Sequence, residues 1–294
     1  MSVPCYPDFI PLNLALRDSL HPRLSLTPDG VSEFTFSGLY LFRNKYKYLI
    51  SRNGRDEEGG FIISGKQGDK SFFFTPCRAP DPETLESLLA AHDYWKNISE
   101  SVLFPVREKL EERGIIFTED RDNFDYLYYR KDLAELHGKK YHKKKNHINN
   151  FLQTYPNYEY RPMSTELVPA AIEILDQWRK DKVEDGDYKA AREALNLFDT
   201  LSLRGAVFFV DGSPVAYCLG ESIARGKMFA VHFEKAIGGY KGIYQFVNKT
   251  FAEKLPSFFT LINREQDLGN EGLRQAKMTY RPCAFVRKYT GRIT

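Results

Sequence analysis

Asp211-Gly212 stands between two apolar runs, Gly205 to Val210 and Val215 to Ile223. Asp-Gly adopts the left-handed backbone of a two-residue hairpin turn without strain, so the two runs are expected to pair as antiparallel strands. Upstream, Val168, Ala171, Ile172, Leu175 and Trp178 recur at helical spacing, and Ala191, Ala194, Leu195, Phe198 and Leu201 repeat the stripe. Two amphipathic helices therefore lead into the hairpin. Downstream the pattern predicts a strand over Lys227 to Lys235, a glycine-rich turn, and a helix over Ile243 to Lys254. After it come a strand at Phe258 to Ile262, a polar loop, a short helix at Leu273 to Met278, and a last strand at Cys283 to Tyr289. Helices interleaved with strands in this way specify an α/β (α+β) fold.

The N-terminal half repeats the order. Leu39 to Phe42, Tyr46 to Ser51, Gly60 to Ser64 and Ser71 to Thr75 have the composition of short strands. Asp81-Pro82 opens a helix through Leu85, Leu88, Leu89 and His92, with Asp as cap and Pro in the first turn. A second helix spans Phe104 to Gly114, and the strand Ile115 to Thr118 ends in Glu119-Asp120-Arg121-Asp122. Each half thus holds a strand hairpin, a helix, and a strand that ends in a polar cluster. That order predicts two copies of one fold, joined near Asp125 to Pro156. The expected domains are 1–130 and 131–294, the second with a basic linking helix at Lys139 to Tyr155 that packs with a short helix at Asp132 to His137 and is stopped by Pro156.

Composition bounds the function. With 42% hydrophobic and 28% charged residues the chain is globular rather than disordered. The net charge of +3 is mild but clustered, which favours a local anion site over general nucleic-acid binding. Cys5, Cys77, Cys218 and Cys283 form no CxxC pair, so reduced thiols and a cytoplasmic location are expected. Prolines and an acid in Met1 to Asp8 disfavour a signal peptide, and no run has the length of a membrane span.

Three segments carry candidate chemistry. Gly138 to His147 holds five lysines and two histidines in ten residues. On a helix, Lys139, Lys140, Lys143, Lys144 and His147 fall within an arc of about 140°, either a solvated face or a surface for a polyanion. His137, His142 and His147 are spaced by five, which turns them apart on a helix, and the lysines repel a cation; no metal site is expected. The turn with Gly238, Gly239, Lys241 and Gly242 precedes a helix whose free amides could hold phosphate, although such turns are also common structural devices. Asn263 to Gly269 crowds polar groups at a strand end. There Asp267 could take a proton, and Lys277 or Tyr280 could steady negative charge. The structural alternative has Asp267 or Asn270 capping the next helix and Lys277 pairing with Glu265 or Glu271.

Gly138 to His147 with Phe151-Leu152 and Tyr155-Pro156, together with Asn263 to Gly269, Gly272-Leu273-Arg274, Lys277 and Tyr280-Arg281-Pro282, resembles the C-terminal catalytic part of bacterial phosphatidylglycerol lysyltransferases. The resemblance covers roughly Gly30 to Tyr289. It implies a tandem pair of Gcn5-related acyltransferase folds, each a twisted mixed sheet flanked by helices, in a family that includes enzymes moving an aminoacyl group from tRNA to a lipid or peptide amine. On that basis Asp267, Lys277 and Tyr280 are the catalytic candidates. Gly238, Gly239, Lys241, Gly242, Asn263 and Arg264 are expected at the donor, and Lys139, Lys140, Lys143, Lys144 and His147 at a polyanion such as tRNA. The coenzyme A-dependent members carry an Arg/Gln-x-x-Gly-x-Gly/Ala loop that Lys235 to Gly242 does not reproduce, which places aminoacyl-tRNA ahead of acyl-coenzyme A as donor. A coenzyme A-dependent N-acyltransferase and a non-catalytic tRNA or nucleotide binder are the alternatives.

Overall fold

A computed structural model describes residues 2–54, 60–76 and 78–293, so Cys77 lies outside the described residues. In chain order the first strands are β1 (Ile10–Pro11), β2 (Leu49–Arg52), β3 (Phe61–Gln67), β4 (Lys70–Phe74), β5 (Tyr94–Ser99), β6 (Ile115–Glu119) and β7 (Asp125–Tyr129). Then come β8 (Tyr158–Pro162), β9 (Arg204–Val210), β10 (Ser213–Ile223), β11 (Met228–Ala236), β12 (Leu261–Asn263), β13 (Ala284–Val286) and β14 (Lys288–Ile293). The helices of the first half are α1 (Arg17–Leu24), α2 (Phe36–Tyr46), α3 (Pro82–Ala91), α4 (Glu100–Leu103) and α5 (Arg107–Glu111). The second half adds α6 (Arg130–Glu135), α7 (His142–Thr154), α8 (Val168–Lys180), α9 (Tyr188–Asn196), α10 (Ile243–Lys254) and α11 (Glu271–Met278).

The strands form two seven-stranded sheets, ordered β1-β2-β3-β4-β5-β14-β6 and β8-β9-β10-β11-β12-β7-β13. Both run through the same sequence of pairings: three antiparallel, one parallel, two antiparallel. The parallel pair is β4–β5 in one sheet and β11–β12 in the other. The repeat expected from the order of elements is therefore present as two sheets of identical pairing pattern.

The strand between β5 and β6 is β14, from the far end of the chain, and the strand between β12 and β13 is β7, from the first half. Each half gives its last strand to the other. The sheets accordingly do not divide at residue 130. Where the two exchanged strands meet, Lys288 of β14 is fully buried and donates to Asp125 of β7 at 2.8 Å and to Glu33 at 2.5 Å. Asp125 also accepts from the Ser32 amide (2.8 Å), the Ser32 hydroxyl (2.9 Å) and Asn263 (3.1 Å). Burial alone would lower the Lys288 ammonium, but the two carboxylates overrule it and hold its pKa above the ordinary value. One apolar core joins the halves, packing Val31, Phe34 and Phe74 with Leu127, Leu175 and Phe233.

Several local expectations change. Leu39 to Phe42 is not a strand but part of α2, where the Thr35 hydroxyl caps by accepting from the Gly38 amide at 2.8 Å. The single helix expected over Phe104 to Gly114 is replaced by two short ones, α4 ending before it and α5 inside it. The expected last strand breaks at Arg287 into β13 and β14, which belong to different sheets. Finally, α7 does not bridge the halves: Phe151 stacks on Phe246 of α10 at 4.5 Å, within the core of the second sheet.

Candidate functional site

The parallel pairing of β11 with β12 stops at Ala230 opposite Asn263, yet β11 continues to Ala236. The pairing ends because β12 ends at Asn263, so the chain after it leaves the sheet at the carboxyl end of a parallel pair, the place where open α/β sheets bind ligands. On the other edge of β11, Leu219 faces Phe233 while Gly220 faces Val231, so His232 is the extra residue of a β-bulge. Its ring lies between Glu265, 2.6 Å from Nδ1, and Glu221, 2.9 Å from Nε2. Burial alone would lower the imidazole pKa, but the two carboxylates push it up to about 10. His232 is thus a fixed imidazolium, tying the bulge to the loop after β12.

That loop contains the predicted catalytic residues. Lys277 of α11 donates to the backbone carbonyls of Arg264 (2.7 Å), Glu265 (3.0 Å) and Gln266 (2.5 Å). Burial pushes its ammonium down to about 8. The alternative pairing of Lys277 with Glu265 or Glu271 gives way to this carbonyl cage. Asp267 has no exposed side-chain surface and accepts from Tyr126 (2.6 Å), two nitrogens of Arg274 (2.8 and 2.9 Å), Arg121 (3.3 Å) and the Gly269 amide (2.9 Å). Burial would raise this carboxyl, but Arg274 and the other donors hold it well below the usual carboxylate range. A carboxylate so stabilised is a poor general base near neutral pH; its geometry is that of a clamp on the loop. The capping role falls to Asn270, which accepts from the Leu273 amide at 2.9 Å.

Arg264 is a different case. Its guanidinium is paired with both oxygens of Glu234 at 3.0 and 3.1 Å and stands 5.6 Å from the Tyr280 ring centre. Lys144 of α7 lies 4.0 Å over the same ring, half-buried, its pKa lowered by burial and then by Arg264. Burial raises the Tyr280 phenol to about 12, so it remains a hydroxyl at physiological pH. Asn263 is wholly buried, donating to Gly30 (2.8 Å) and Asp125 and accepting from the Glu265 amide (2.7 Å). It is a brace beneath the loop, not a donor-facing group.

The glycine turn lines a cavity of about 420 Å³ at the start of α10, with Trp178, Asp181 and Lys182 of the α8 end opposite Gly238, Gly239 and Lys241. Gly242 has φ +91°, and a Cβ there would meet the His147 carbonyl oxygen at 2.5 Å, so α7 and the turn touch through a contact only glycine permits. Beside the cavity, Lys235 donates to both oxygens of Asp187 at 2.7 Å and sits 4.0 Å over Trp178. On α7 and the turn before it, Lys139, Lys140, Lys143 and His147 are exposed, with Lys140 held 3.3 Å from Asp132. The structure therefore brings together α7, the glycine turn and Arg264–Tyr280, while Asp267 and Asn263 act under the loop. His232, Glu221, Glu234 and Trp178 were not anticipated. The only sequence signal for the first of them is a polar alternation, His232 and Glu234, inside an apolar strand.

Among the described residues no helix is long and apolar enough to cross a membrane, and no group of three or more His, Cys, Asp or Glu side chains could hold a metal ion. The family described as "Phosphatidylglycerol lysyltransferase, C-terminal" matches residues 25–291. A crystal structure of a conserved protein of unknown function from Bacteroides thetaiotaomicron VPI-5482 is 31% identical, covers 97% of this chain and 99% of its own, and superposes with a TM-score of 0.86. The C-terminal domain of a putative lysylphosphatidylglycerol synthetase from Agrobacterium fabrum is 15% identical over 95% of this chain and 92% of its own, with a TM-score of 0.61, a likeness of fold. An uncharacterised protein of Mycoplasmoides gallisepticum is 24% identical over 172 residues, 56% of this chain. The match spans about half of that curated relative's length, 54%.

Proposed function

The chain belongs to the phosphatidylglycerol lysyltransferase C-terminal family, and from that premise we propose that it moves an aminoacyl group from tRNA to an amine or hydroxyl acceptor. The observation that carries this reading is the meeting of the basic helix α7 with Arg264 and Tyr280 just beyond the last pair of β11 and β12. In such a transfer the acceptor attacks the ester carbonyl and a tetrahedral oxyanion forms. The ester C–O bond then breaks; the attacking N–H or O–H gives up its proton and the departing ribose oxygen takes one up, so that an amide or ester and a free ribose hydroxyl result. Lys144 and Arg264, the latter held in place by Glu234, are the basic side chains beside that oxyanion, the arrangement that stabilises developing negative charge. The Tyr280 hydroxyl, protonated and next to both cations, is the group to hydrogen-bond the oxyanion or deliver the proton. The exposed lysines of α7 and the turn before it would hold the tRNA backbone, with Lys241 and the glycine turn at the acceptor end. Lys277 and Asp267 act through the loop: one gathers its carbonyls, the other anchors its far side.

A second reading uses an acyl-coenzyme A donor. The cavity at the glycine turn favours it, because the free amides at the start of the twelve-residue α10 suit a pyrophosphate. Two binding measurements separate the readings. Gel retardation of bulk tRNA that weakens steeply with salt, with no change in melting temperature on adding acetyl-coenzyme A, is the expected result. Stabilisation by acetyl-coenzyme A without tRNA retardation would replace the first reading by the second, and absence of both would overturn the two together.

A further inference from the structure

A second cavity, about 470 Å³, lies on the first sheet, away from the glycine turn. Gln67, Lys70, Tyr94, Thr118, Thr290 and Arg292 line it, with Asp93 at one side. The last two of the six come from β14, so the exchanged strand completes this wall. Next to it lies an unusual charge. Lys96 is two residues beyond Tyr94 on β5 and therefore on the same face of the sheet. It is only 9% exposed, and its ammonium donates to a neutral group, Gln67 Oε1, at 2.8 Å. The rings of Phe72 (4.9 Å) and Tyr46 (5.6 Å) are its other neighbours. Among the described residues no carboxylate comes within ion-pair distance of Lys96, and burial lowers its pKa despite the more distant Glu33 and Asp120. An ammonium has three donors, and a buried cation without a counter-ion is costly. Lys288, by contrast, has two carboxylates.

We propose that this cavity is a binding site for a phosphate monoester, separate from the cleft of the second sheet. Two cations, Lys70 and Arg292, line the cavity with one carboxylate, Asp93, which the Ser71 amide (2.7 Å) and hydroxyl (2.9 Å) already engage, and the buried Lys96 stands behind Gln67. The surplus charge suits a dianion rather than a monocarboxylate. Thr118 and Thr290 share one hydrogen bond at 2.8 Å. Whichever hydroxyl accepts it has a proton left for a ligand oxygen. Tyr94 supplies the aromatic ring of the lining, against which the organic part of an ester can pack.

The test compares melting temperatures in inorganic phosphate and in sodium chloride of equal ionic strength, for the wild-type chain, Lys96→Met and Arg292→Gln. In the wild type, phosphate should raise the melting temperature about 2–4 °C more than chloride does. Lys96→Met should melt higher without phosphate, since the unpaired charge is gone, and should lose the phosphate-specific increment. Arg292→Gln changes an exposed side chain, so it should fold normally and lose most of the increment; it decides the matter if Lys96→Met does not fold. No increment in the wild type, or an equal increment in wild type and variants as general salt exclusion gives, would overturn the proposal.

Discussion

His232 and Asp267 show how neighbours set the state of a buried group. The folded pKa of His232, about 10, lies above the ordinary 6.5. The stability it lends is therefore complete below pH about 6.5 and is lost as pH rises through about 10. An imidazole NMR titration should find His232 protonated at pH 8, and Glu221→Gln should bring its midpoint down by at least one pH unit; a midpoint near 6.5 in the wild type would contradict the paired geometry. Asp267 has the opposite sign. Its folded pKa is depressed, so its stabilisation is present above about pH 4 and falls away as the solution is acidified below that. Asp267→Asn should cost about 2 kcal/mol at pH 7 through weakened charged hydrogen bonds, and the difference from wild type should shrink in acid denaturation curves; an unchanged stability with lost activity would instead mark a reacting carboxylate. The polar cluster Asn263 to Gly269 was legible in the sequence as a cluster. What Asp267 binds was not, because Arg121 and Tyr126 come from the first half, 146 and 141 residues away.

Elements with strong local signals were legible. The Asp81 cap accepts from the Thr84 amide at 3.0 Å, α10 has the expected ends, and Asp211 and Gly212 take the positive φ values (49° and 78°) of the hairpin turn. Strands β5 and β7 were not seen. Trp-Lys-Asn-Ile in β5 breaks the apolar pattern with Lys96 and Asn97, and both are buried through tertiary contacts that no periodicity reveals. Leu39 to Phe42 misled for the opposite reason: a run apolar enough for a strand belongs to a helix whose cap lies outside it. Two element-scale outcomes follow from the contact between α7 and the glycine turn. Gly242→Ala should cost about 3 kcal/mol in denaturant unfolding, from positive φ and the close His147 carbonyl together; a neutral effect would mean the contact gives way freely. Changing Lys139, Lys140 and Lys143 to Glu should abolish tRNA retardation while far-UV circular dichroism stays unchanged, since these side chains are exposed. Retention of binding in that variant would remove α7 from the polyanion surface.

At the scale of the molecule, the doubled order of elements was visible in the sequence, but the exchange of β7 and β14 was not. A strand carries no mark of which of two like sheets it will enter, and Arg287 alone separates the two partners of the final segment. The exchange makes the halves interdependent. Thermal or denaturant unfolding should pass through one transition, and Lys288→Met should lower stability by about 3–5 kcal/mol because it leaves Asp125 and Glu33 buried without their cation. Two separable transitions in calorimetry would contradict that coupling. The same joining sets the network around Lys288 in contact with the loop after β12, through Asn263 on Asp125 and Gln266 on Glu33 (3.1 Å). Arg264 and Tyr280 stand at this loop's border with α7. The most direct measurement is the loss of radiolabelled amino acid from a mixed pool of aminoacyl-tRNAs, with candidate lipid and peptide amines present, for the wild type and for Arg264→Gln and Tyr280→Phe. The expected result is protein-dependent transfer of label to an acceptor with the tRNA left intact, reduced at least tenfold in both variants, with the melting temperature of Tyr280→Phe within a few degrees of wild type and that of Arg264→Gln lowered by the loss of its pair with Glu234. Label that stays on tRNA in the presence of wild-type protein, or transfer that is equally fast in both variants, would contradict it.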